Sequence, residues 1–337
     1  MPTFNSAKTI ALALQSIRNQ HYDAEEIEIL IVDGGSTDNT VEIAKSFGAK
    51  ILINEKRLPE IAKFIGIKAA IGDLIVFNDS DEVIVSPHAF AWRNSAFLDN
   101  PFISTLATEG DVRPAGSPLL LDYYNLVGDA FSYFVNRSSV VVKYASARFA
   151  ERYVTERESS TYLVFLVAPD DPPPMYDAGG HTFCRACLKN LTAAKIASND
   201  ASFVGIISSL LSRESGKFLV SKNDYVEHHS DASVSMILKK TRFRIVNNLF
   251  MAAKGGAAGF AEREKFLPLH VRVRKFLFLL YGLSVIWPAF DGAANAIKHR
   301  NPSFLWHVVF SFATAVMLCW YGVKKLMGMH VQIGTYG

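Results

Sequence analysis

The first 85 residues alternate between short apolar runs and amphipathic stretches, and that rhythm leaves few folds open to the chain. Residues 27–33, IEILIVD, read as a buried strand. Residues 36–48 follow with helical spacing, opened by Ser36, Thr37 or Asp38 and closed by Gly48. Residues 49–54 are the next strand, and 58–72 the next helix, with Pro59 in its first turn and Gly72 past its end. Leu74-Ile75-Val76-Phe77 is the following strand. Ahead of them all, residues 7–20 carry Ile10, Leu14 and Ile17 at helical spacing, with Asn5 or Ser6 as candidate cap. Strands alternating with helices imply right-handed crossovers and a mainly parallel sheet covered on both faces, an α/β fold. In such sheets ligands gather at the carboxyl ends of the strands.

Two acidic loops fall on that rim, VDGGSTD after the first long strand and NDSDE after the last. The second places Asp79, Asp81 and Glu82 at the mouth of a core. Ionised carboxylates held close together repel, and each resists leaving water without a compensating charge. A solvated turn accommodates them; so does a cation site, with Asp79 and Asp81 projecting toward one point.

At 337 residues the chain exceeds one average domain. Half of it is hydrophobic and 20% charged, rich in apolar residues for a soluble protein. The net charge of +3 does not suggest a nucleic-acid partner. Cys184, Cys187 and Cys319 make no disulfide framework and fit a reducing compartment. Cys184 and Cys187 form a CxxC after His181, but no second pair follows at zinc spacing, so an ordinary helix surface is expected there. The amino terminus does not read as a secretory signal.

The middle, residues 87–231, is less regular. Residues 169–180, PDDPPPMYDAGG, read as a loop, because prolines and paired glycines deny both helix and ladder. Residues 184–197 and 201–216 read as helices, the second starting right after Asp200, and 217–230 as a short strand and turn ending in His228 and His229. Then the character changes. Residues 304–323 are uncharged and long enough to cross a bilayer as a helix, with Trp306, Trp320 and Tyr321 toward the ends. A second apolar run, 276–290, is shorter and serves as a tilted first pass or an interfacial segment; two buried core helices are the alternative reading. A basic collar precedes these runs (Lys239, Lys240, Arg242, Arg244, Lys254, Arg263, Lys265, Arg272, Arg274, Lys275), and Lys324 and Lys325 follow them. Such flanks suit an anionic leaflet and put both ends in the cytoplasm. The expected organisation is a catalytic domain at 1–235, a basic juxtamembrane segment at 236–275 and two membrane helices within 276–325.

The ordered stretches PTFNSAKTIALALQSIRNQ, IEILIVDGGSTDNTVEIAKSFGAKIL and GIKAAIGDLIVFNDSDEV closely resemble the family 2 glycosyltransferases of GT-A fold. A weaker likeness follows in SNDASFVGIISSLLSRESGKFLVSKNDYVEHH, and the C-terminal apolar pair is similar to that of membrane-anchored members; residues 100–180 match little. The resemblance implies a nucleotide-sugar donor, such as a UDP- or GDP-sugar, and Mg²⁺ or Mn²⁺. It assigns Asp81 to the metal, Asp79 to the ribose or metal, and Asp33 to the nucleobase. Pro2, Thr3 and Asn5 match the first nucleotide-binding loop, and Gly35 belongs to the second; Gly34 stands where many members have a further Asp. Asp200 matches the base that deprotonates the acceptor in inverting members, with Asn199 in place of the usual Glu. His228, rather than His229, matches a His near the diphosphate and metal, a reasonable Mn²⁺ ligand. Against these roles stand an N-cap for Asp200, a turn and helix cap for Asp33 and Asp38, and a structural place for His228.

The family carries apolar residues ahead of the match to Pro2, where this sequence has Met1, so about six added apolar residues are expected to raise stability. No Gln-x-x-Arg-Trp sequence, the mark of processive synthases, stands near the apolar runs, which favours single-sugar transfer. The leading expectation is a membrane-anchored, metal-dependent, inverting transferase acting on a hydroxyl of a lipid-linked or surface-glycan acceptor. The alternatives are a polyprenyl-phosphate sugar transferase, whose anionic acceptor needs no base, and a catalytically idle membrane scaffold.

Overall fold

Leu30–Asp33 (β2) is the middle strand of a parallel sheet, flanked by Pro2–Thr3 (β1) and Lys50–Ile53 (β3). The computed structural model describes residues 1–137, 145–173, 179–231, 233–251, 264 and 267–331. Ile10–Arg18 (α1), Thr40–Ser46 (α2) and Pro59–Ala69 (α3) alternate with these strands as the periodicity predicts. Ile10, Leu14 and Ile17 of α1 bury their shared stripe against Ile29, Ile31 and Ala44. Leu74–Val76 (β4) follows, then Glu82–Ile84 (β5).

The helix starts differ from expectation. Thr9 is the N-cap residue of α1 and Asn39 that of α2, and neither cap side chain bonds to its helix. Asn5, Ser6 and Ser36, residues that looked like caps, instead tie two loops together, whereas Asp38 does both, accepting the N–H of Thr40 at the start of α2 and that of Ala7 in the first loop.

The sheets are more mixed than the early alternation implied. Thr105–Ala107 (β6), Gly110–Val112 (β7), Thr155–Glu158 (β8), Tyr162–Leu166 (β9), Thr182–Cys184 (β10), Lys217–Ser221 (β11) and Tyr225–His228 (β12) complete them. One sheet runs β4-β10-β6-β11-β9-β8, parallel only between β6 and β11; the other runs β5-β12-β7, with β12 parallel to β7 and antiparallel to β5. Past residue 85 the strands no longer each lead into a crossover helix, so neighbours can return in either direction. Phe165, Phe218, Phe149 and Tyr153 pack the core beneath β9 and β11. The helix expected at 184–197 is two, Arg185–Leu191 and Ala193–Ala197, broken at Thr192. The one expected from 201 begins as a 3₁₀ turn, Val204–Ile206, before Ile207–Ser215. Of the loop at 169–180, residues 174–178 lie outside the described residues.

All these strands belong to one compact unit, Met1–Val112 with Val142–His229. The other unit joins Arg113–Val141 to Ser230–Tyr336 and is helical. In it, Leu120, Leu121 and Tyr123 of the helix Leu119–Val127 share a core with Ile237, Phe304 and Phe310. The sequence placed one boundary at 235 and left 113–141 with the first domain; here that segment folds with the C-terminal part. Pro302–Leu326 is long and apolar enough to cross a membrane, whereas Leu269–Ser284 and Ile286–Lys298 meet at a 93° bend. Lys254, Arg263 and Lys265 of the basic collar lie outside the described residues.

Candidate functional site

The end of β2 turns sharply at Asp33, and its carboxylate builds the turn. Oδ2 accepts from the backbone N–H groups of Gly35 and Ser36, both at 2.9 Å. Oδ1 accepts from the hydroxyls of Ser36 (2.5 Å) and Thr3 (3.3 Å). Gly35 sits at φ +83°, a backbone shape that disfavours any side chain, and a Cβ there would meet Arg57 Nη2 at 3.5 Å. The Arg57 guanidinium lies over the Phe4 ring, 5.5 Å from its centroid.

The first loop interlocks with this turn. Asn5 donates its N–H to Ser36 Oγ (2.8 Å) and accepts the N–H of Thr37 on Oδ1 (2.8 Å). Ser6 N–H donates to Thr40 Oγ1 (2.7 Å), and Ala7 N–H to Asp38 Oδ2 (3.1 Å). Asp38 also accepts from the N–H and hydroxyl of Thr40, so it braces the start of α2 from just outside it. Pro2, Thr3, Asn5, Asp33 and Gly35 are thus brought together, with Asp33 2% exposed.

The Asp79-Ser80-Asp81 loop closes onto the same place, since Ser80 Oγ donates to Ser6 Oγ at 2.8 Å. Its opposite side is fixed by sheet register. β12 pairs with β5 so that His228 stands across from Glu82, which delivers the His228 Nε2 to 3.3 Å from Asp81 Oδ2. The Asp81 carbonyl accepts from His229 N–H at 2.7 Å, holding both strands in that register. His229 itself turns to Glu227, 3.1 Å away.

Asp79 points elsewhere. Its Oδ1 lies 3.7 Å from Lys63 Nζ on α3 and, although buried, has no hydrogen-bond partner. Among the described residues no three His, Cys, Asp or Glu side chains converge on a point that could hold an ion. The expected set Asp79, Asp81 and His228 is therefore not assembled as a trio; Asp81 and His228 are adjacent, and Lys63 draws Asp79 aside. The donors still suit a cation whose remaining ligands come with a substrate. A hard divalent ion needs only one or two protein groups when a diphosphate supplies oxygens, and a buried carboxylate oxygen without a donor is one it would satisfy.

Glu82 is the buried brace under this loop, 4% exposed. It accepts from the N–H groups of Asp79 (2.6 Å) and Gly179 (3.0 Å). Burial, with the charges of Asp79 and Asp111, pushes its pKa well above the ordinary carboxylate value. Asp111, on β7 beside Val226 of β12, went unnoticed in the sequence, as did Lys63 and Arg57, while Ser6 stood there as a candidate cap and not as a partner of Ser80. Only Ser80, inside the Asp-Ser-Asp string, carried a local signal.

Asp200 stands apart from this cluster in its contacts. It pairs with Lys195 at 3.0 Å and accepts the N–H (2.8 Å) and hydroxyl (2.9 Å) of Ser202. The Ser202 N–H bond, with the Lys195 ammonium, lowers its pKa below the usual carboxylate value. It anchors the turn after Asn199, itself at φ +56°, rather than capping Ile207–Ser215, whose N-cap residue is Ile206. Cys184 and Cys187 are free; Cys184 is the N-cap residue of Arg185–Leu191, which puts the pair at a helix start instead of along its surface.

Residues 1–88 match the family described as Glycosyl transferase family 2. One relative is the dolichyl N-acetyl-alpha-D-glucosaminyl phosphate 3-beta-D-2,3-diacetamido-2,3-dideoxy-beta-D-glucuronosyltransferase of Methanococcus voltae, 42% identical over 107 residues, 30% of this chain and 30% of that protein. Another is the glucosyl-3-phosphoglycerate synthase of Petrotoga mobilis, 28% identical over 184 residues, 49% of this chain and 55% of that one. The chain thus spans between about a third and about half of the length of these relatives. A solved mannosyltransferase from Pyrobaculum calidifontis, in complex with GDP-Man and Mn²⁺, covers 95% of this chain and 86% of its own at 16% identity, with a TM-score of 0.48. Over residues 1–88 the chain is thus similar to glycosyl transferase family 2.

Proposed function

We propose that the strand-bearing unit is a GT-A glycosyltransferase that moves a sugar from a UDP- or GDP-sugar to a hydroxyl of a lipid-linked or surface-glycan acceptor, with inversion. One observation carries this reading. The Asn5 loop, the Asp33 turn, the Asp79-Ser80-Asp81 loop and His228 are drawn into one cluster by the Ser80–Ser6 bond and the Asp81–His228 contact.

In this reading Pro2, Thr3, Asn5 and Gly35 form the edge against which the nucleoside lies. Asp33, with its oxygens already engaged, keeps that edge in shape and reaches the base only by exchanging a bond. Asp81 and His228 would hold Mg²⁺ or Mn²⁺, with Asp79 beside them, and the ion would supply counter-charge for the departing diphosphate. Lys63, 3.7 Å from Asp79, and Arg57, over Gly35, are further cations for the diphosphate. Asp200 would take the acceptor proton, by general-base catalysis. The helical unit, with its apolar terminal helix and Lys324 and Lys325, would keep the enzyme at the cytoplasmic face of a membrane.

The placement of Asp200 favours a second reading. A carboxylate with a lowered pKa, paired with Lys195, is a weak base, and a phosphate acceptor such as a polyprenyl phosphate needs none. Released nucleotide diphosphate, measured across a panel of nucleotide sugars with Asp200→Asn beside the wild type, separates the two. A loss on the order of 10²–10⁴ in kcat with intact fold supports hydroxyl transfer; near-full turnover supports the phosphate acceptor. Absence of turnover with every donor, for folded wild type given its cation, would overturn both.

A further inference from the structure

Among its described residues the helical unit contains one helix long enough to cross a bilayer, yet its neighbours argue against a crossing. Val234–Val246 runs beside Pro302–Leu326: Ile237 shares a core with Phe310, while Ile245 and Val246 share one with Tyr321. Between those contacts Val234–Val246 carries Lys239, Lys240, Arg242 and Arg244. Arg242 donates to Tyr321 Oη at 2.6 Å, and Arg244 donates to Gly128 O and Tyr124 Oη, both at 3.3 Å.

The other end of the terminal helix is equally polar. His307 is fully buried, with Nδ1 3.1 Å from Tyr123 Oη and Nε2 2.9 Å from Tyr281 Oη. Tyr281 donates to Asp291 Oδ2 (2.8 Å), which Arg137 also reaches at 2.8 Å. About 21 Å of helix separates His307 from Tyr321. A helix spanning the hydrocarbon would draw the flanking Lys and Arg side chains to a depth that penalises charge strongly.

The exposed surface tells the complementary part. On the terminal helix Leu305, Val309, Phe312, Val316, Trp320 and Val323 recur three or four apart on the exposed side, opposite buried His307, Ser311 and Thr314. Ile286–Lys298 buries Pro288 and Gly292, and exposes Trp287 (63%), Phe290 (67%) and Ile297 (80%). The 93° bend before it, at Val285, leaves two limbs each shorter than the ~20 residues a crossing needs. Lys298, Arg300 and Lys325 are exposed beside these apolar faces.

We propose that this unit is monotopic: its exposed apolar stripes lie in the headgroup–acyl boundary of one anionic leaflet, basic residues at their margins, and no helix crosses. The proposal deepens the membrane-associated reading and rests on it. Apolar stripes, interfacial Trp and adjacent cations together are the chemistry of a lipid surface.

Flotation and side-specific labelling test it in sequence. The purified full chain should float with phosphatidylcholine–phosphatidylglycerol vesicles, about tenfold less with phosphatidylcholine alone. The Trp287→Glu, Phe290→Glu double variant should lose at least about tenfold of that binding with an unchanged circular dichroism spectrum. If the wild type does not float with anionic vesicles, membrane association itself is overturned, and this proposal with it. In a bacterium expressing Lys298→Cys or Met329→Cys, which flank the terminal helix, an impermeant maleimide should add label over the wild-type background only after lysis. Added label in intact spheroplasts, from a chain that floats, would overturn the monotopic placement and leave membrane association standing.

Discussion

Asp81 and His228 meet because a strand pairing 146 residues apart in sequence sets them side by side, so each should be separately necessary. Asp81→Ala is expected to lower kcat/KM by a factor on the order of 10²–10³ with the fold intact, the loss typical when transition-state charge goes uncompensated. A drop below about tenfold in a donor-turnover assay would remove Asp81 from the site. His181 gives a pH prediction. It is buried, and burial, with the nearby charges of Lys63 and Arg93, lowers its pKa to about 3. The folded imidazole stays neutral down to that value, while the unfolded one takes up a proton below about 6.5. Stability from this residue is therefore full above about pH 6.5 and declines as pH falls toward 3. Between pH 7.5 and pH 5 it should diminish by about 2 kcal/mol. Urea unfolding at the two pH values should show a smaller decrease for His181→Gln; an equal decrease would mean that other groups carry the acid sensitivity. The acidic residues themselves were legible, since Asp33, Asp79 and Asp81 end apolar runs. Their partners were not, because Lys63, Asp111 and Ser6 become neighbours only when distant segments fold together.

At the scale of elements, the early strands and helices were readable because local periodicity and packing agree there. Most of the caps were not: Asn5, Ser6 and Ser36 have the chemistry of helix caps, and tertiary contact between two loops outweighs that local preference, while Asp38 keeps a bond to the start of α2. The later strands are three to five residues long and, apart from the neighbouring β8 and β9, pair across wide sequence gaps, which no local signal specifies. A buried ion pair shows how such pairing is fixed. Arg93 on Ala89–Asp99 meets Asp224, just before β12, through bonds of 2.7 and 2.8 Å, with both side chains almost fully buried. Gly180, at φ +78°, makes room for it; a Cβ there would stand 2.9 Å from Arg93 Nη2. Arg93→Met should cost about 3–5 kcal/mol, because it leaves Asp224 buried and unpaired. A loss under 1 kcal/mol in chemical unfolding would show that the carboxylate finds water or a new partner.

For the whole molecule, the surprise lies in Arg113–Val141. Its helix Leu119–Val127 is apolar enough to suit any core, so nothing local says that it joins the C-terminal unit. Only the packing of Leu121 and Tyr123 with Ile237, Phe304 and Phe310 decides it. Cutting the chain after His229 strips those partners away, and the fragment is expected to aggregate; a monomeric fragment 1–229 with a cooperative melt would show that the segment needs no such cover. The account as a whole depends on one joint site for a nucleotide diphosphate and a divalent cation. Calorimetric titration of the full chain with UDP and with GDP, each with and without Mn²⁺, tests it most directly. The expected result is uptake of at least one of the two that strengthens about tenfold or more with Mn²⁺ and loses that gain in Asp81→Asn. Binding of neither nucleotide by folded protein, or binding indifferent to Mn²⁺ and to Asp81→Asn, would contradict the account.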